Sequence, residues 1–301
     1  MQHEGALLGG GDEELAELLR IGERKVYDLA ATDQVPCVRV VGKLLFPRAE
    51  IAAWIDERRS GPQPAAPLPA IVAGSHDPLL EWALRESGSG LAAFMDGSMD
   101  GLARLARRDC IACGAHIHEP GGTWNVAAVN RELPGKPVVA IEFARRSRGI
   151  IVATDNPSKI DGIADLSGSR FARRQEGAAS QRWFEELARE AGLDPAALDG
   201  PQVPARTEAD VALAVLDGKA DAAFGLEAMA RQFRLGFVPV AQERYDLVVW
   251  RQGYFEPAFQ ALVRFLATPA FAAHAAEMGG YDIGQAGTVH YNAGEIDSAS
   301  G

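Results

Sequence analysis

Between Ser60 and Ala70 the chain reads SGPQPAAPLPA, and its four prolines divide the molecule before any other feature is considered. Proline locks φ and lacks a backbone N–H, so this stretch cannot be helical and favours extended, semi-rigid structure. A chain of 301 residues is expected to hold about two domains. The boundaries predicted are a small module at 12–59, a linker at 60–69 and a larger domain at 70–301.

Asp12 follows three glycines and is expected to N-cap a helix through Arg20, with Leu15, Leu18 and Leu19 facing inward. After Ile21-Gly22, a second helix over Glu23–Ala31 turns Val26, Leu29 and Ala30 to the core and Arg24, Lys25 and Tyr27 outward. Beyond Pro36, Val38, Val40 and Val41 read as a strand, Gly42-Lys43 as a turn and Leu44–Phe46 as the partner strand. Pro47 suits the first turn of a last helix that packs Ile51, Trp54 and Ile55 back. Helix, turn, helix, two-stranded wing and helix make a winged helix-turn-helix. In that arrangement one helix fits the major groove while the wing holds phosphate or enters the minor groove.

The run ELAELLRIGERKVYDLAATDQVPCVRVVGKLLFPRAEIAAWI resembles the excisionase-type, MerR-like DNA-binding module along its whole length. The resemblance implies contact with double-stranded DNA by Arg24, Lys25 and Tyr27 on the second helix, and by Arg39 and Lys43 on the wing. The net charge of −11 excludes a protein that coats nucleic acid but leaves room for a local basic patch. With few phosphate contacts per copy, a homodimer or higher homo-oligomer reading two half-sites is expected.

From residue 70, apolar strands alternate with amphipathic helices, the pattern of an α/β domain with mainly parallel sheets. The strands expected are Ile71–Ala73, Leu91–Met95, Cys110–Ala115, Pro137–Phe143, Gly149–Thr154, Arg170–Arg174, Ala220–Phe224, Phe237–Val240 and Tyr245–Trp250, with a long helix opening at Gly177. Ligands of such sheets bind beyond the carboxyl ends of strands. Three strand-to-helix joints carry glycines and hydroxyls: Gly74–Asp77, Asp96–Gly101 and Arg174–Ser180. Glycine admits close backbone approach, serine donates a hydrogen bond, and a helix start offers free N–H groups, so the three together suit an oxyanion.

The segments AGSHDPLLEWAL, DGSMDGLARLARRDCIACGAHIHEPGGTWN, RSRGIIVATDNPSKI, RFARRQEGAASQRWFEELAREAGL, TEADVALAVLDGKADAAFGLEAMA, ERYDLVVW and GGYDIG resemble the periplasmic-binding-protein-like domain of molybdate- and tungstate-responsive regulators. The resemblance implies a bilobal type II fold: lobe one at 70–145 and 245–301, lobe two at 148–240, with hinge crossings near Ala144–Gly149 and Ala241–Tyr245. It implies ligand contacts by Ser75 and Ser98 from lobe one and by Arg174, Gln175 and Ser180 from lobe two, with Tyr245 near the hinge. His76, in the first joint, is read either as a ligand contact or as loop scaffold. At Gly177–Gln181 this chain lacks the family's hydroxyl, glycine and charge, at Ala178, Ala179 and Gln181 respectively. The resemblance makes molybdate or tungstate the leading ligand expectation, and this departure opens formate or another carboxylate as the alternative.

Other patterns are weaker. Cys110-x2-Cys113-x2-His116-x-His118 has zinc-like residue types, but on a strand the two cysteines point oppositely, so His116 is expected at the cleft or in the lobe core and no metal is expected. Arg145, Arg146 and Arg148 cluster at the expected hinge, either to attract an anion or as an ion-paired face. No Ser-His-Asp order, P-loop or G-x-G-x-x-G is legible, and no enzyme or cofactor is expected. No apolar run approaches the ~20 residues of a membrane span. MQHEGALLGGGDEE lacks a secretory pattern, and Cys37, Cys110 and Cys113 are too few and odd for a disulfide framework, so a cytoplasmic location is expected. The function expected is a ligand-responsive transcription regulator. The alternative, carried by the same resemblance, is an accessory protein or enzyme of molybdenum-cofactor metabolism.

Overall fold

The computed structural model describes residues 11–58 and 66–293. The chain divides into two compact units that meet between Pro67 and Leu68. Residues 60–65 of the expected linker lie outside the described residues. Leu68 packs against the buried core of the second unit, which therefore starts slightly before Ala70.

The first unit is α1 (Gly11–Leu19), α2 (Glu23–Ala31), β1 (Val38–Val40), β2 (Lys43–Leu45) and α3 (Arg48–Glu57). Its core is Leu15, Ala16, Val26, Ala30, Val35, Phe46 and Ile51. Three expectations are corrected. Asp12 lies inside the first turn of α1 instead of capping it. Leu18 points outward, 57% exposed, because Leu15 and Ala16 already fill the contact with α2. The wing turns at Val41-Gly42, one residue earlier than read, with both residues at positive φ.

The second unit continues with β3 (Ile71–Gly74), α4 (Pro78–Glu86), β4 (Ala92–Met95), α5 (Ser98–Ala106), β5 (Ala112–Ala115), β6 (His118–Glu119), β7 (Thr123–Trp124), α6 (Val126–Glu132) and β8 (Val138–Val152). Then come β9 (Phe171–Ala172), α7 (Ala179–Glu190), α8 (Glu208–Leu216), β10 (Ala222–Leu226), α9 (Glu227–Gln232) and β11 (Gly236–Trp250). α10 (Arg251–Tyr254), α11 (Pro257–Leu266), α12 (Pro269–Met278), β12 (Tyr281–Asp282) and β13 (Val289–Asn292) close it. The strand order is β4-β3-β5-β11-β8-β10-β9, with β12 and β13 also on β8.

The parallel-sheet expectation holds only at the two ends, where β4-β3-β5 and β10-β9 run parallel. The centre is antiparallel. Two strands expected on either side of Arg145–Arg148 are one continuous β8, and the two expected around Ala241–Arg244 are one continuous β11. Their charged middles interrupt the apolar pattern without interrupting the ladder, because Arg146 lies opposite Glu243. These two strands run through both lobes. Around them, one lobe packs Val72, Leu79, Phe143, Leu247, Phe259 and Phe271 on one face of the sheet and Leu102, Leu105, Cys113, Val129 and Trp250 on the other. The other lobe packs Ile150, Trp183, Phe184 and Phe224 on one face and Ile151, Val211, Leu226 and Met229 on the other. The helix expected to open at Gly177 begins at Ala179, with Ala178 as its extended N-cap.

Candidate anion site and nucleic-acid face

The parallel strands β3, β4 and β5 end at Gly74, Met95 and Ala115, so the residues just after them, Ser75, Ser98 and His116, share one edge of the sheet. Gly74 is required there. Its φ is +113°, and a Cβ would fall inside the Gly114 backbone. Ser75 Oγ lies 2.9 Å from His116 Nε2, and the His116 backbone N–H donates to Ser98 Oγ at 3.3 Å. Gly97, the N-cap of α5, has φ +117° and faces Gly177 of the other lobe, whose carbonyl would lie 3.9 Å from an added Cβ. Neither α5 nor α7 has a side-chain cap, so first-turn N–H groups of both helices are available to a ligand. Ser180, in the first turn of α7, is 2% exposed and its hydroxyl has no hydrogen-bond partner.

The lobes are closed over this edge. His118 stacks on Trp183, Trp124 meets Trp183 edge-on at 5.0 Å, and His118 Nδ1 lies 3.3 Å from Glu186. A cleft of about 30 Å³ remains, lined in part by Met99, Ile117, Gly177, Ala179 and Trp183.

Behind it lies a buried charge network. Glu243 on β11 meets Arg146 at 2.6 Å, Arg148 at 2.8 Å and His116 Nδ1 at 2.9 Å. Arg146 donates to Asp77, which also accepts from Tyr281 and from the Leu80 N–H at the start of α4. Arg148 makes a two-pronged pair with Glu208, which Arg174 joins at 2.8 Å. Burial would raise the Glu208 carboxyl, but Arg148 and Arg174 outweigh it and hold it at about 2. Glu243 is likewise driven well below the carboxylate range, its burial overcome by Arg146 and Arg148. Burial lowers His116 more than Glu243 raises it, and Arg146 lowers it further. The basic cluster foreseen at Arg145–Arg148 is thus the ion-paired alternative, with Arg146 and Arg148 fully buried and Arg145 turned outward onto Glu142.

The residues expected to touch ligand divide into two groups. Ser75, Ser98 and Ser180 gather at the carboxyl edge and the facing helix start. The others serve different partners. Arg174 is spent on Glu208 and the Arg206 carbonyl, with Gln175 accepting a long 3.4 Å bond from it. Tyr245 is fully buried beneath Arg146 and donates to the Ser75 carbonyl at 2.5 Å, which orients the first joint from behind. His76 pairs with Glu81 at 3.1 Å. Gln181, the departure from the family pattern, turns inward: it accepts the Arg174 backbone N–H and donates to Glu185. Sequence reading found no serine–histidine–acid order, yet folding assembles Ser75, His116 and Glu243 into a hydrogen-bonded relay. Asp77 was noted only as the last residue of the first joint, and Glu208 and Glu243 were not anticipated, because isolated acids carry no motif. Cys110 and Cys113 lie in the apolar core, where burial pushes the Cys110 thiol up to about 12 and Cys113 well above its usual range.

In the first unit Arg24, Lys25, Tyr27, Arg39 and Lys43 are all exposed, on α2 and the wing. Arg39 also donates to the Ala30 carbonyl at 2.9 Å and so closes the C-terminal end of α2. Tyr27 is hydrogen-bonded to Asp12, which raises its phenol. Tyr27, Arg39, Gly42 and Lys43 line one groove between α2 and the wing.

Residues 81–267, more than half of the chain, match the PBP superfamily domain. The chain belongs to the PBP superfamily. Residues 12–59 match a helix-turn-helix domain. The uncharacterized protein YvgK of Bacillus subtilis (strain 168) is 26% identical over 300 residues, which cover 92% of this chain and 96% of that one. A Clostridium pasteurianum protein encoded in the 5′ region of a 2Fe-2S ferredoxin gene is 32% identical over 107 residues, 35% of this chain and 95% of its own. Among solved structures, a protein described as a phosphate ABC transporter substrate-binding protein from Clostridium perfringens, with bound phosphate, has a TM-score of 0.52 at 12% identity. It covers 69% of this chain and 96% of that one. This likeness concerns the fold of the PBP domain alone.

Proposed function

We propose that the chain is a cytoplasmic, ligand-responsive transcription regulator that binds operator DNA through its helix-turn-helix unit and senses a small oxyanion in the closed cleft of its PBP domain. What carries the reading is the occurrence, in one chain, of a helix-turn-helix unit and a PBP domain whose uncapped starts of α5 and α7 face each other beside Ser75, Ser98 and Ser180. Arg24, Lys25 and Tyr27 would meet base edges and phosphates in the major groove, with Arg39 and Lys43 on the flanking backbone, in a homodimer. The anion candidates are molybdate and tungstate from the sequence resemblance, and phosphate from the ligand of the Clostridium perfringens protein.

The Ser75–His116–Glu243 relay has the connectivity of an activated nucleophile. Its electrostatics serve that role poorly. A catalytic acid must stabilise an imidazolium, and the Glu243 charge is already neutralised by Arg146 and Arg148, which lower His116. The relay instead orients Ser75 for binding.

The test is a footprint on the promoter region of the protein's own gene, with and without saturating anion. A protected site whose affinity changes with anion is expected. Arg24→Ala or Lys25→Ala should weaken it and lower the slope of its salt dependence by about one for each phosphate no longer neutralised. Absence of any protected site, or one indifferent to every anion tried, overturns the reading.

A further inference from the structure

The polarity of the hydrogen bonds around Ser75 restricts which oxyanion the cleft can hold. Glu243 is ionised between Arg146 and Arg148, so both of its oxygens can only accept. Its contact with His116 Nδ1 at 2.9 Å therefore requires the proton on Nδ1. The imidazole is buried, 2% exposed, and the carboxylate it meets is held on its other side by Arg146 and Arg148, with the Tyr245 ring stacked on the imidazole at 6.0 Å. Held neutral there, His116 has a bare Nε2, and the 2.9 Å contact with Ser75 Oγ can form only if the Ser75 hydroxyl donates to it. Ser75 then has lone pairs, and no proton, left for a ligand at the carboxyl edge of the sheet. The other groups have the opposite polarity. Ser98 Oγ accepts from the His116 backbone, which leaves its own proton free, and Ser180 Oγ has no partner. The first-turn N–H groups of α5 and α7 also donate.

From this arrangement we infer that the cleft selects an oxyanion carrying its own O–H, a hydrogenphosphate-type ligand, over fully deprotonated tetrahedral anions. The inference rests on the anion-sensor reading above. The ligand's hydroxyl donates to Ser75 while its remaining oxygens accept from Ser98, Ser180 and the two helix starts. An anion with no proton would set an oxygen against the lone pairs of Ser75, with no hydrogen between them. A buried polar group left unpaired is costly, and sites built to pair one discriminate strongly against ligands that cannot.

The experiment is titration calorimetry of the full chain, freed of bound anion, near pH 7. Phosphate and arsenate, which keep at least one O–H there, are compared with sulfate, molybdate, tungstate and formate, which do not. Phosphate and arsenate should bind roughly 100-fold tighter than any of the others. Ser75→Ala removes the acceptor with little change of shape, and should reduce phosphate affinity while leaving sulfate affinity unchanged or improved, so that the ratio falls toward one. Molybdate, tungstate or sulfate binding as tightly as phosphate would overturn the inference and leave the sensor reading standing. So would equal weakening of phosphate and sulfate by Ser75→Ala. No binding by any anion would overturn both.

Discussion

Glu208 sets the acid limit of this protein more than any surface group. Its carboxyl is held at about 2, against an ordinary value near 4.5, because Arg148 and Arg174 outweigh the cost of burial. A carboxyl depressed on folding contributes stability above its unfolded pKa and loses it as pH falls through the folded one. Stability should therefore hold down to about pH 4.5 and decline from there towards pH 2, with Glu243 contributing in the same direction. Glu208→Gln should cost about 3–5 kcal/mol at pH 7, since it leaves two guanidiniums buried without their carboxylate. It should also flatten the acid limb of a urea-midpoint-against-pH profile. A variant as stable as the parent at pH 7 would show that Arg148 and Arg174 find other partners. None of this was legible in sequence. Arg146 and Arg148 were visible as a basic cluster, but their acidic partners come from residues 77, 208 and 243, far apart in the chain and joined only by folding.

Helices and strands were readable where burial follows a simple period. α2 lies at Glu23–Ala31 as its Val26, Leu29 and Ala30 spacing requires. Reading failed where charged residues are buried. β8 and β11 were each divided at their charged middles, because periodicity counts Arg146, Arg148 and Glu243 as exposed when all three are fully buried. The wing turn was misplaced for a different reason. Val41 is β-branched and a poor turn residue, yet it sits at φ +49° and is 97% exposed. Left-handed backbone costs a non-glycine residue roughly 1–2 kcal/mol, and Asn-Gly is the favoured pair for a two-residue hairpin with both φ positive. Val41→Asn should stabilise the wing by about 1 kcal/mol, slowing hydrogen exchange of the Val38–Leu45 amides roughly fivefold. Unchanged or faster exchange would mean that the hairpin is not limited by this turn.

At the scale of the whole molecule the two units have separate cores, so a fragment beginning at Leu68 should fold alone and bind anion with the affinity of the full chain. Operator DNA should shift the anion affinity of the full chain and leave that of the fragment untouched, because coupling between two sites is reciprocal. A full chain whose anion affinity ignores operator DNA would remove the regulator reading while sparing the sensor. The sequence by itself determined the division at the prolines, the winged helix-turn-helix and the α/β character of the larger domain, because each is written in local turn chemistry and in the period of apolar residues. The composition of three strand-to-helix joints marked where a ligand was expected, and the family resemblance named Ser75, Ser98 and Ser180 there as expected contacts. Tertiary structure alone decided that β8 and β11 run unbroken through both lobes. It decided that Arg174 pairs with Glu208, that Tyr245 donates to the Ser75 carbonyl, and that Glu243 and Ser75 meet His116 at its two ring nitrogens. Those outcomes depend on which buried charges meet, and charge pairing across distant strands leaves no periodic trace in the chain.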